Sequence, residues 1–277
     1  MSANLKRTSA DPEPPPGSDP ICPDGVERLR LRRTSGPPGA PTLIYLPGLH
    51  GDWTMIGAFR EALGGAVTWV EMTYPRSPDW QLADYARHIE EQLLQQGIES
   101  GWLLGESFGS QVMWELVRRR PQAWQGLILA GGFVRYPVPP FLGMTKRLLE
   151  VLPFAWVKRC LPAYVLYARV RHQKSPTARA GAAEFVARRT AADLRAMAQR
   201  LTLIAGSDPR ETAAGLTIPL HHLYGAIDPI VPWPPVVRWL ERNCPTLRGS
   251  RRIWASDHTV LATAAQSSAE QVLEWIR

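Results

Sequence analysis

Ser107 stands in a short motif whose neighbours suit nucleophilic chemistry. Residues 105–109 read GESFG and fit the pattern G-x-S-x-G. A short apolar strand is predicted over 102–104, and a helical pattern follows over 107–120. This strand–turn–helix order is typical of a nucleophile elbow, in which a strained turn lifts the serine hydroxyl out of the sheet. The sequence therefore predicts that Ser107 is a nucleophile.

The two glycines of the motif fit the same interpretation. A strand and a helix that meet at such a turn approach closely, so a side chain at Gly105 or Gly109 would clash. Ser107 would lie at the N-terminus of the helix, where unpaired N–H groups can stabilise a developing oxyanion. The backbone N–H of Phe108 is the first candidate donor of such an oxyanion hole.

With this motif in place, the chain resembles the α/β-hydrolase family over residues 42–277. The order of catalytic groups in that family is nucleophile, acid, histidine. Asp228 follows a strand in the segment LYGAIDPIVP, which looks like the turn that carries the family's acid. His258 follows the last predicted strand in the segment IWASDH, which is similar to the family's histidine loop. The resemblance implies a triad of Ser107, Asp228 and His258.

The chemistry requires these three types of side chain. A serine hydroxyl is a poor nucleophile until a base takes its proton, and imidazole titrates near neutral pH. A carboxylate then orients the ring and stabilises the imidazolium. Asp257 replaces the glycine that the family usually has before its histidine, so Asp257 is a rival acid, as is Asp208.

A second oxyanion donor is expected in the loop after the strand 43–46. That loop, 47–52, reads PGLHGD, and the family commonly has His-Gly-x there. If the leading Pro-Gly occupies that place, the donor is the N–H of Leu49; if the following His-Gly does, the donor is that of Asp52. The Pro-Gly alternative follows the strand directly, which favours Leu49 as the donor.

Strand and helix patterns alternate along the chain and predict parallel strands joined by crossover helices. Segment 133–206 breaks this alternation, with amphipathic helical patterns and no strand. The family resemblance then implies an α/β-hydrolase fold: a core at 26–132 and 207–277, a helical cap at 133–206 inserted after strand 6 (here 127–130), and a disordered, proline-rich tail at 1–25. The predicted strands are 26–33, 42–46, 67–72, 102–104, 127–130, 220–224 and 252–254, and the helices outside the cap are 53–63, 82–96, 107–120, 235–242 and 260–276.

The predicted cap carries the basic excess of the chain. Residues 135–200 contain thirteen basic and three acidic residues, a net charge of +10 against +7 for the whole chain. One interpretation is a lid with an apolar inner wall for an acyl chain and a basic outer face. Such a face would suit a coenzyme A thioester, an acidic carrier protein, an anionic surface or a substrate carboxylate. A solvated helical face with no partner would look the same. A nucleic acid is not expected, because no recognition motif is present.

Other classes of function lack their sequence signals. The three cysteines, Cys22, Cys160 and Cys244, are scattered and form no Cys-x-x-Cys pair, which favours a reducing compartment. With no apolar run long enough to cross a bilayer and no secretory signal, the prediction is a cytoplasmic protein without a transmembrane segment. No nucleotide, zinc-protease or EF-hand motif occurs, so neither a cofactor nor a metal is expected. His221 and His222 are adjacent on a strand, point to opposite faces and cannot share a metal.

These observations predict a carboxylesterase-like serine hydrolase that cleaves a small-molecule ester or thioester through an acyl-enzyme on Ser107. Two alternatives remain open at this point. The same fold can perform other chemistry, such as that of a C–C hydrolase, a lyase or a perhydrolase. The chain could also be a non-catalytic binder that holds an anionic partner through its basic cap.

Overall fold

The computed structural model describes residues 27–171 and 175–277. The tail predicted at 1–25 lies outside the described residues. Within them the chain forms one seven-stranded sheet. Its strands are β1 (Arg30–Thr34), β2 (Thr42–Leu46), β3 (Thr68–Thr73), β4 (Gly101–Glu106), β5 (Trp124–Ala130), β6 (Leu220–Gly225) and β7 (Leu247–Ile253).

Helices connect the strands. They are α1 (Gly57–Ala62), α2 (Leu82–Gln95), α3 (Gly109–Arg119), α4 (Pro139–Val151), α5 (Phe154–Arg171), α6 (Pro176–Ala187), α7 (Ala191–Gly206), α8 (Arg210–Ala214), α9 (Trp233–Asn243), α10 (Val260–Thr263) and α11 (Ala265–Trp275). Capping residues determine where some of these helices begin. Gln81 and Asp84 form a capping box at α2, with the Gln81 N–H donating to Asp84 Oδ2 over 2.9 Å.

The strand order is β1-β3-β2-β4-β5-β6-β7. All neighbouring pairs are parallel except β1 and β3, which are antiparallel. Parallel strands need crossover connections, and the helices between them supply these on both faces. The carboxyl ends of β4, β5, β6 and β7 therefore lie side by side along one edge, where loops from distant parts of the chain can meet.

Alternating residues of the buried strands divide the core in two. On β2, Ile44 and Leu46 pack with α2, α3 and α9, whereas Leu43 and Tyr45 pack with α1, α10 and α11. The same alternation holds on β4, where Leu103 and Leu104 face opposite clusters. Side chains of a strand alternate between faces, so each central strand contributes to both halves of the core.

Several elements differ from the sequence prediction. Strand β1 begins at Arg30 and helix α1 at Gly57, each four residues later than expected, and the insertion includes α8, which was expected to belong to the core. The last strand was expected at 252–254, but β7 runs from Leu247 to Ile253 and excludes Trp254. Among the described strands β7 pairs with β6 alone, and it carries mostly polar, partly exposed residues, so its hydrophobic signal is weak. The helix expected at 260–276 is two helices, α10 and α11, because Ala264 departs from helical geometry (φ −134°, ψ 47°).

Helices α4 to α8 form a helical insertion (residues 139–214) between β5 and β6. Helix α4 packs on α7, α5 packs on α6, and α6 contacts α1 of the sheet layer. Leu142 of α4 is buried. The opposite face of α4 exposes apolar side chains of Phe141, Met144, Leu148 and Val151 at helical spacing.

Neighbouring leucines of α2 provide a test of this packing. Leu93 is buried in the core, whereas 51% of the surface of Leu94 is exposed. We expect Leu93→Ala to lower the free energy of unfolding by about 2–5 kcal/mol, because it leaves a cavity. Leu94→Ala should change it by less than about 0.5 kcal/mol. Urea unfolding followed by circular dichroism measures both, and equal effects would contradict this orientation of α2.

Candidate active site

The turn between β4 and α3 holds Ser107 in an uncommon backbone conformation. Its φ is 49°, and among the described residues it is the one non-glycine residue with a positive φ. The Ser107 N–H donates to Ala130 O at the end of β5 over 3.1 Å. Ser110 in the first turn of α3 donates its hydroxyl to Ser107 O over 2.6 Å. Such strain persists only where the surroundings enforce it, and these contacts do so.

The two glycines of the motif lie where the backbone leaves no room for a side chain. A Cβ at Gly109 would lie 2.1 Å from the carbonyl oxygen of Leu46 on β2, and one at Gly105 would lie 3.0 Å from the backbone of Ser110. Real Cβ atoms essentially never come as close to backbone as at Gly109, and the contact at Gly105 would be tighter than nearly all real ones. The first turn of α3 can therefore meet the sheet this closely only with glycine at 109, and glycine at 105 avoids a tight contact.

Loops from two other strands bring their side chains to Ser107. Asp228 follows β6, and His258 follows β7 directly before α10. His258 Nε2 lies 2.8 Å from Ser107 Oγ, and His258 Nδ1 lies 2.7 Å from Asp228 Oδ2. An ionised carboxylate only accepts hydrogen bonds, so Nδ1 donates to it and Nε2 is left to accept the serine proton. The arrangement can move a proton from the hydroxyl to the ring.

The loop after β6 fixes the carboxylate of Asp228. Its side chain is only 1% exposed. Oδ1 accepts the backbone N–H groups of Ile230 and Val231 over 2.8 and 2.9 Å. Tyr136 donates its hydroxyl to Ile230 O over 2.6 Å and ties this loop to the segment after β5. Burial, and then the charge of Asp228, raise the pKa of Tyr136 to about 12, so the phenol keeps the proton that it donates.

The rival carboxylates have other partners. Asp257 Oδ1 accepts the N–H and the hydroxyl of Thr259, both over 2.9 Å, and thereby caps the start of α10. Asp208 lies on the surface and binds Arg210 through both oxygens. Of the three candidate acids, Asp228 is the one that contacts His258.

The loop after β2 lies against Ser107. A Cβ at Gly48 would be 3.5 Å from Ser107 Cβ, so the Gly48–Leu49 end of the loop is adjacent to the serine. The side chain of Asp52 is directed away into a buried cluster, where it accepts from Thr54 N over 3.0 Å and pairs with Arg189. Burial by itself would raise the pKa of Asp52, but Arg189, His50 and Thr54 outweigh it and lower the pKa to about 2.

Arginines of the helical insertion hold this loop, and the sequence analysis did not single them out. Arg189 contacts Asp52 and also Asp193, and Arg200 donates to Leu49 O over 2.8 Å. Arg188 binds Glu184 with its side chain only 11% exposed. Part of the basic excess of segment 135–200 is therefore largely buried and paired, so the net charge of the segment overstates the charge that its surface presents.

The two histidines of β6, His221 and His222, pack against aromatic rings. Burial lowers the pKa of His222 to about 3 and that of His221 to about 4, so both rings are neutral at neutral pH. His221 stacks on Trp275 and His222 on Tyr224, on opposite faces of the sheet. Across the part of the chain that the structure describes, no group of three or more His, Cys, Asp or Glu side chains could hold a metal ion, and no helix there is long and apolar enough to cross a membrane.

The architecture and the elbow define the class of protein. The fold is the α/β-hydrolase fold, as the sequence predicted, and solved structures of that fold superimpose on it. An enol-lactonase from Burkholderia xenovorans matches with a TM-score of 0.72, 17% identity, and coverage of 89% of this chain and 95% of that chain. An esterase from Rhodococcus matches with a TM-score of 0.69, 18% identity, and coverage of 91% and 95%.

Sequence comparison then gives the family. The family model described as "Serine aminopeptidase, S33" matches residues 71–252, so the chain belongs to this family of α/β-hydrolases and is a hydrolase. The matched range includes Ser107 and Asp228, and His258 lies just beyond it. A curated relative, named "Putative carbamate hydrolase RutD" from Cronobacter turicensis, is 25% identical over 217 residues, which cover 74% of this chain and 80% of the relative.

The charge of Asp52 predicts a pH dependence of stability. Its folded pKa, about 2, lies below the ordinary value of 3.8, so the folded chain releases this proton more readily than the unfolded chain. The stabilisation is complete above about pH 4 and is lost as pH falls towards 2, and it amounts to about 2 kcal/mol. We expect Asp52→Asn to lower the free energy of unfolding by at least that amount at pH 7.

Urea unfolding between pH 3 and pH 7 checks this expectation. Asp79→Asn, at an exposed aspartate, is the control and should change stability by less than about 0.5 kcal/mol. If Asp52→Asn behaved like this control, the buried pair with Arg189 would not stabilise the fold.

Proposed function

We propose that the chain is a serine hydrolase that cleaves a carboxylic ester or thioester through an acyl-enzyme on Ser107. The observation that carries the proposal is the continuous series of hydrogen bonds from Ser107 Oγ through the ring of His258 to Asp228, at 2.8 and 2.7 Å. Hydroxyl, imidazole and carboxylate in this order are the groups that acyl transfer needs.

The reaction follows from this order. Ser107 Oγ attacks the carbonyl carbon while its proton passes to His258 Nε2, and the carbonyl π electrons move onto oxygen. As the tetrahedral intermediate collapses, His258 returns the proton to the leaving alcohol or thiol, and the acyl group stays on Ser107. Water then attacks the acyl-enzyme, His258 takes the proton of that water and returns it to Ser107, and the acid product leaves. Asp228 orients the ring and stabilises the imidazolium in both halves.

The oxyanion is bound by the N–H groups of Leu49 and Phe108 in this proposal. Phe108 follows the nucleophile at the N-terminus of α3, where amides have no partner within the helix. The position of Gly48 beside Ser107 supports Leu49 as the second donor, and the separate anchoring of Asp52 argues against the other register. Loss of one such donor typically costs about 10²–10³ in kcat.

The substrate class is a small molecule with an activated carbonyl. The lactonase, the esterase and the relative named as a carbamate hydrolase all carry names of enzymes that act at a carbonyl group with a heteroatom leaving group. We infer that residues 133–206 act as a cap over the site, since Arg189 and Arg200 join this segment to the loop beside Ser107. Its outward arginines and lysines remain a candidate contact for a carrier protein or an anionic surface. A cytoplasmic location, inferred from the scattered cysteines of the sequence, remains part of this proposal.

Substitution of the nucleophile tests the reaction. We expect Ser107→Ala to lower kcat by about 10⁴-fold or more on aryl esters and to abolish labelling by a fluorophosphonate probe, because no hydroxyl remains to be acylated. Ser267→Ala, at an exposed serine of α11, should keep both properties. A panel of esters, thioesters, lactones and carbamates, measured by release of the leaving group, identifies the preferred bond. A wild-type protein that is not labelled and hydrolyses none of them would sink the proposal.

Substitution of the acid tests the assignment of Asp228. Asparagine keeps its shape but no longer holds the productive tautomer of His258, so Asp228→Asn should lower kcat by about 10²–10⁴-fold. Asp208→Asn, at the surface rival, should leave kcat within about 2-fold. The ester that wild type cleaves fastest, assayed at pH 7, gives the comparison. Reversal of the two effects would move the acid to Asp208.

A further inference from the structure

We propose that Arg200 is a positioning residue for the oxyanion hole. The inference rests on the proposed function, because it concerns the two N–H donors at Leu49 and Phe108. Arg200 belongs to α7 of the helical insertion, yet its side chain enters the core and the residue is only 2% exposed. Its Nη1 donates to the carbonyl oxygen of Leu49 over 2.8 Å.

One guanidinium contacts both residues that would bind the oxyanion. Besides its hydrogen bond to Leu49, Arg200 lies with Cζ 5.9 Å from the centre of the Phe108 ring, within the range of a cation–π contact. A bond to the Leu49 carbonyl fixes the peptide unit that directly follows the Leu49 N–H and so restricts rotation of the loop at this residue. The contact with the Phe108 ring restrains the first turn of α3. The spacing of the two donors is thereby fixed from one point.

The guanidinium is itself held in one orientation. Its Nη2 donates to Pro75 O over 3.1 Å and its Nε to the hydroxyl of Tyr85 over 3.3 Å. The ring of Tyr74 lies 5.5 Å from Cζ on one side. Because the planar group uses three different nitrogens for three acceptors, a lysine cannot reproduce these contacts.

The loop is shaped to admit this side chain. Gly51 has a φ of 77°, and a Cβ at this position would lie 2.3 Å from Arg200 Nη1. Any other residue at 51 would push the guanidinium away from the loop. The glycine that the sequence analysis considered only as part of an alternative His-Gly motif therefore makes room for Arg200.

The charge of Arg200 is the second part of the argument. Its three acceptors are neutral groups, and among the described residues none of the ion pairs includes it. An isolated buried cation is costly unless it is well hydrogen-bonded. Held behind the oxyanion donors, this charge favours the negative charge that develops on the substrate oxygen, and it acts through a fixed, dry environment.

Kinetics of Arg200 variants test the proposal on the full chain. We expect Arg200→Lys and Arg200→Ala to lower kcat by about 10- to 100-fold with KM within about 3-fold, since the loss is confined to the transition state. Affinity for an aryl boronic acid, which mimics the tetrahedral intermediate, should fall by a similar factor. Guanidinium chloride at tens of millimolar should restore part of the activity of Arg200→Ala, whereas ammonium chloride should not. Arg119→Lys, which perturbs an ion pair between α3 and α2, is the matched control.

The outcomes separate this inference from the proposed function. A wild-type protein that is neither labelled nor active would overturn both. If wild type hydrolyses esters and the Arg200 variants keep its kcat, or change only KM, then the positioning role alone is wrong. Should Arg200→Ala fail to fold, Tyr85→Phe keeps the arginine and removes one acceptor, and it should lower kcat by about 3-fold; an unchanged kcat in that folded variant would also overturn the role.

Discussion

The rest of the site depends on one backbone constraint, the positive φ of Ser107. A residue with a Cβ atom persists at a positive φ only where the surrounding structure enforces it, and here both sides of the turn do so. Strand β4 is fixed between β2 and β5, and α3 is drawn against the sheet because Gly109 allows it to touch Leu46. The hydroxyl is thus fixed at the carboxyl end of β4, where His258 meets it from the loop after β7.

Parallel topology explains why residues so distant in sequence arrive there. The strands that carry Ser107, Asp228 and His258 all end at the same edge, so each loop is presented from a rigid strand. The helical insertion adds a further constraint. Arg189 and Arg200 extend from it to the loop after β2, and the geometry of the site thus depends on contacts between two layers of the molecule.

The sequence predicted the strands of the sheet, the elbow and the two loops that carry Asp228 and His258, because each has a local signature of turn residues or apolar alternation. It misplaced the start of β7, whose polar residues carry little hydrophobic signal. It also treated Arg200 as one charge in a basic segment. Nothing local distinguishes an arginine that points to solvent from one that enters the core, since only tertiary packing supplies its acceptors, such as Leu49 O and the Tyr85 hydroxyl.

The two edge strands of the sheet, β1 and β7, are rich in arginine, which affects how two molecules can associate. Strand β1 contributes Arg30 and Arg33, and β7 contributes Arg248, Arg251 and Arg252. An exposed edge strand is a template on which a second chain can extend the sheet, and like charges along the strand oppose that addition. Arginines on both edge strands therefore disfavour edge-to-edge growth of the sheet into fibres, whichever two edge strands approach each other.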